Sequence, residues 1–79
     1  MQIERVRQIV CAWDPIHLFP GAPSDEYDYE VQQIFNELNT NMSISKMGTE
    51  ILRIFSNSFG NTFQCGLSEC EKVASELIE

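Results

Sequence analysis

Residues 25–38 read DEYDYEVQQIFNEL, the most strongly patterned stretch in the chain. Tyr27, Val31, Ile34 and Leu38 recur at i, i+4, i+7 and i+11, with Phe35 beside them. That spacing lays one apolar stripe along a helix and leaves acids and amides on the other side. A strand would need strict alternation, which is absent here. The stretch therefore predicts an amphipathic α-helix over residues 25–39, ended by the turn formers Asn39, Thr40 and Asn41.

Working outward, the same period recurs three more times. Ile3, Val6, Val10 and Trp13 stripe a helix over residues 2–13, which Pro15 ends by pushing the preceding residue out of the α region. Met47, Ile51, Ile54 and Phe55 stripe a helix over residues 43–57. Ser43 is a suitable N-cap and Gly60 a suitable C-cap for it. Gly48 inside this helix weakens it by roughly 1 kcal/mol relative to Ala, which a close approach of another helix would explain. Cys70, Val73, Ala74 and Leu77 stripe a last helix from residue 68 onward. There "SECE" has the form of a capping box, with Ser68 as cap and Glu71 reaching back. No stretch reads as a strand, no segment repeats, and no linker divides the chain. The expectation is an all-α fold: one domain, a small bundle of about four helices with a long ordered loop between the first two.

Composition narrows the function. At 79 residues the chain has room for one core, and little for a deep catalytic pocket besides. Hydrophobic residues make up 43% and charged residues 22%, a globular balance rather than a disordered one. The net charge of −7 repels phosphate backbones, so nucleic acid is not expected as a partner. It suits a neutral or basic protein, although acidity also serves solubility alone. No apolar run approaches bilayer length, and the N-terminus lacks the pattern of a secretory signal, so no membrane is implied. Cys11, Cys65 and Cys70 are odd in number and form no C-x-x-C pair. They read as reduced thiols, and the protein as cytoplasmic.

The loop before the second helix, "DPIHLFPGAPS", holds all three prolines. Asp14-Pro15 initiates a turn, and Ile16, Leu18 and Phe19 are too apolar for a free linker, so they should dock on the bundle. Ser24 or Asp25 would cap the second helix, and the acids after it would meet the positive end of its dipole. One aromatic is left over. At about 100° per residue, Tyr29 projects away from the apolar stripe, among Asp25, Glu26, Gln32, Gln33 and Asn36. Either its ring folds back on the proline loop, or it anchors a partner. On the second reading Tyr29, Asp25, Glu26 and Gln33 form the partner-binding surface.

Catalytic chemistries find weak support. His17, Asp14, Asp25 and Asp28 do not make a metal-ligand spacing, and "DEYDYE" lacks the glycine and the D-x-D-x-D order of a calcium loop. Cys70 near a helix start could ionise easily, yet it falls on the apolar stripe, where a thiol is inert. Cys65 is the more exposed thiol, and His17 is the sole imidazole. "GNTFQCGLS" has the wrong spacing for a phosphate loop, and Leu67 stands where lysine is required. No catalytic residue, metal or cofactor is implied.

"WDPIHLFPGAPSDEYDYEV", residues 13–31, resembles the motif of the YugE-like domain-of-unknown-function family of small bacterial proteins. The matched positions are Asp14, Pro15, Leu18, Pro20, Ala22, Pro23, Asp25, Glu26, Tyr27 and Asp28. The resemblance implies a compact, helical, cytosolic protein and supplies no reaction. A looser similarity links "DPI" and "DEYD" to small acidic proteins suspected of neutralising toxins. The leading expectation is a non-enzymatic helical protein that binds another protein. An immunity-like inhibitor of a basic toxin, a self-associating homodimer and a small metal- or thiol-dependent enzyme are the alternatives.

Overall fold

Four helices form where the apolar period places them. The structure is a computed structural model that describes residues 3–18, 21, 26–38 and 42–78. The elements are α1 (Ile3–Trp13), α2 (Asp28–Glu37), α3 (Ile44–Phe59) and α4 (Leu67–Ile78), with a 3-10 turn at Gly60–Thr62 after α3. No described residue lies in a strand. The fold is all-α. No helix among the described residues is long and apolar enough to cross a membrane.

The helices form a ring. α1 packs on α2, α2 on α3, α3 on α4, and α4 back on α1; the α3–α4 pair is the most extensive. Each apolar stripe faces the centre. Val6 and Val10 of α1, Val31 and Ile34 of α2, Met47, Ile51, Ile54 and Phe55 of α3, and Cys70, Val73, Ala74 and Leu77 of α4 are buried. Met42 and Phe63, outside the helices, complete this core. The rings meet around Phe55. Trp13 and Phe63 lie 5.3 Å from it and Phe59 5.8 Å, with Tyr27 at 6.0 Å.

Gly48 has the predicted reason. A Cβ there would stand 2.7 Å from Cγ of Glu71 and 3.2 Å from its backbone Cα and N. Only a bare backbone lets α3 and α4 approach this closely. Ser43 caps α3 by accepting the Lys46 N–H at 3.1 Å. The helix runs two residues past the expected end and stops at Gly60, whose φ of 55° suits glycine.

Three expectations are corrected. α2 begins at Asp28, not residue 25, because Tyr27 is drawn into the core and its backbone (φ −97°, ψ 9°) stands at the cap. Leu38 lies past the end of α2 in extended conformation and is half-buried, so it is not a core residue. The Ser68 capping box does not form. α4 starts at Leu67, the Gly66 carbonyl accepts the Cys70 N–H, and Glu71 lies against Gly48 instead. Phe19, Pro20, Ser24 and Asp25 lie outside the described residues. So does the expected cap of α2 by Ser24 or Asp25.

Candidate interaction surface

Asp14 organises the approach to α2. Its N–H closes α1 on the Val10 carbonyl at 2.9 Å, and its carbonyl accepts the His17 N–H at 3.1 Å. The turn holds Asp14 at φ 44° and His17 at φ 57°, left-handed values that Asp and His tolerate better than most residues. The Asp14 carboxylate then faces inward. Oδ1 accepts the Leu18 N–H at 2.8 Å and the Tyr27 hydroxyl at 2.7 Å. Tyr27 Oη in turn lies 3.4 Å from the Ile16 N–H. Burial, and next the bond to Asp14, push the Tyr27 phenol far above its ordinary range. Pro15 is buried, and Ile16 and Leu18 pack against the core, as expected of an ordered loop.

This lock fixes where α2 starts and which way its outer face points. Tyr29 is 68% exposed. Glu26, Gln32 and Asn36 are exposed, and Gln33 is half-buried. Gln32 donates to Asn36 at 3.0 Å along the same face. Asp25 lies outside the described residues. Asp28, at the start of this helix, has a basic partner. Arg7 of α1 reaches Asp28 at 2.9 Å and also pairs with Glu4.

One feature of α2 gave no sequence signal. Glu30 is only 5% exposed, and its Oε1 has no hydrogen-bond partner. Between Tyr29 and Val31 it reads as one more surface acid.

The thiols are held protonated. Burial first, then a hydrogen bond to Glu69, pushes Cys65 up to about 12. Burial first, then the charges of Glu69 and Glu71, pushes Cys70 up to about 11. Burial also raises Cys11 against the opposing pull of Arg7. Few thiolates exist at neutral pH under such conditions, and a thiol makes a poor nucleophile. Among the described residues, no group of three or more His, Cys, Asp or Glu is placed to hold a metal ion.

Residues 5–79 match the family model described as a domain of unknown function, DUF1871, and the chain belongs to that family. No curated protein and no solved structure matches it.

Proposed function

We propose that this DUF1871 chain is a non-enzymatic protein that binds another protein through the outer face of α2, with Tyr29 as anchor and Glu26 and Gln33 around it. The observation that carries the reading is Tyr29 itself. It is the most exposed large apolar side chain among the described residues, on a helix face otherwise made of acids and amides. A rigid aromatic with a polar tip in such a setting has the character of an interface hot spot.

Asp14, Pro15, Tyr27 and Asp28 have architectural work instead. Asp14 and Tyr27 bond to each other, Pro15 is buried, and Asp28 pairs with Arg7. They preorder the start of α2, and a preordered anchor loses less entropy on binding. The raised thiols favour binding over thiol chemistry.

The test is a pull-down from the cell's own extract with the native chain and Tyr29→Ala side by side. The variant should melt as the native chain does and lose about 1–3 kcal/mol of affinity for captured proteins. Equal capture by both would remove Tyr29 from the interface.

A further inference from the structure

A groove of about 390 Å³ runs between the turn after α1 and the segment leading into α4, lined by Pro15, Ile16, His17, Thr62, Gln64, Cys65, Gly66 and Glu69. Its volume lies within the range of small-ligand sites. We propose that this groove receives a guanidinium group, an arginine side chain presented by a partner, with Glu69 as the carboxylate that pairs with it.

Glu69 is set up for that role. Its carboxylate accepts the Trp13 indole N–H at 3.1 Å, with the Cys65 thiol as a second donor. Both donors also favour the charged form. No lysine or arginine lines the groove, and no described cation lies within ion-pair distance of Glu69. Lys72 and His17 act on it only through longer-range attraction. The carboxylate therefore retains acceptor positions for an incoming donor.

The walls suit an arginine along its length. Ile16, half-buried, offers apolar surface for the methylene stem. Thr62 and Gln64, both exposed, offer oxygens to the outer N–H groups. A guanidinium presents five N–H donors in one plane, so it can bond a fixed carboxylate and a flanking oxygen together. An ammonium is a point charge without that geometry. The net charge of −7 draws cations to the surface in general. Only a built groove would separate the two cations. This site stands apart from the α2 face and does not depend on Tyr29.

The experiment is an amide-resolved NMR titration of the whole chain with Nα-acetyl-arginine amide, and in parallel with Nα-acetyl-lysine amide. Saturable millimolar binding is expected, with shifts confined to residues 16–17 and 62–69 and the Trp13 indole. Glu69→Gln should weaken it by roughly tenfold or more, as loss of a charge-assisted pair does. Thr62→Phe, at an exposed position, should narrow the groove and weaken it while the fold stays intact. Lysine should bind more weakly than arginine. Shifts scattered over other acids, or binding unchanged in a folded Glu69→Gln, would overturn the site. Equal binding of lysine would overturn its guanidinium chemistry. If Glu69→Gln unfolds, Thr62→Phe decides, and unweakened binding there overturns the proposal.

Discussion

Tyr27 donates its hydroxyl proton to Asp14 across thirteen residues of chain, Oη to Oδ1 at 2.7 Å. The bond joins the end of α1 to the start of α2, and the Asp14 carboxylate also holds the Leu18 N–H. Hydrogen bonds to a charged group contribute about 1.5–3 kcal/mol each. Tyr27→Phe keeps the ring in the aromatic cluster and removes the hydroxyl, with its bond to Asp14 and the longer one from the Ile16 N–H. It should therefore destabilise by about 1.5–3 kcal/mol, a large share of the stability of so small a chain. Chemical denaturation measures it, and a loss below a few tenths would show that the loop holds without the lock.

Burial of the Tyr27 phenol, and next that bond, set an alkaline limit. The folded pKa of Tyr27 is raised, so on base titration the unfolded state loses its proton first. Stability should be level up to the ordinary tyrosine value of about 10 and fall as pH rises beyond it. In Tyr27→Phe this contribution to the alkaline fall should vanish. A fall of the same size in the variant would assign it to other groups.

Gly48→Ala tests the α3–α4 contact. Helix propensity alone would favour alanine by roughly 1 kcal/mol. The added methyl meets the Glu71 backbone at 3.2 Å, where no side-chain rotation gives relief. Overpacking of this kind costs about 1–3 kcal/mol, so the net effect should be a lower melting temperature. A higher one would mean that the helices part without penalty.

Glu30→Leu should do the reverse. Glu30 is buried with one oxygen unpaired, and a buried charge is costly unless it is fully bonded. An apolar side chain of similar volume removes that cost, so stability should hold or rise by about 1 kcal/mol. A loss above that would reveal a partner for the carboxylate in solution.

These cases show what the sequence could and could not disclose. The period of Val31, Ile34, Ile51, Ile54 and Phe55 is local, so the stripes were legible, and Tyr29 opposite them with it. Gly48 was legible too, since a mid-helix glycine calls for a neighbouring backbone. The capping box at Ser68 was misread because the local signal lost to packing of Glu71 on α3. The start of α2 was misread because Tyr27 answers to Asp14, not to its neighbours. The Arg7–Asp28 pair spans twenty-one residues, and the groove at Glu69 brings residues 15–17 against residues 62–69, so neither leaves a local trace.

Trp13, the sole tryptophan, makes Glu69 visible. Its indole N–H donates to the Glu69 carboxylate. The Cys65 bond first, and the Trp13 bond second, hold that carboxyl below its ordinary value of 4.5. A depressed folded pKa stabilises the fold fully above the unfolded value. The contribution is lost as pH falls through the folded one. Acidification should therefore change Trp13 emission in a step centred below pH 4.5, ahead of or together with acid unfolding. Because Glu69 is exposed, the accompanying loss of stability should be small. Glu69→Gln still accepts the indole N–H but does not titrate, so the step should disappear while emission at neutral pH changes little. Fluorescence and far-UV circular dichroism recorded over the same acid titration separate the local event from unfolding. A step that persists in Glu69→Gln would assign it to another carboxylate and break the link between Trp13 and Glu69.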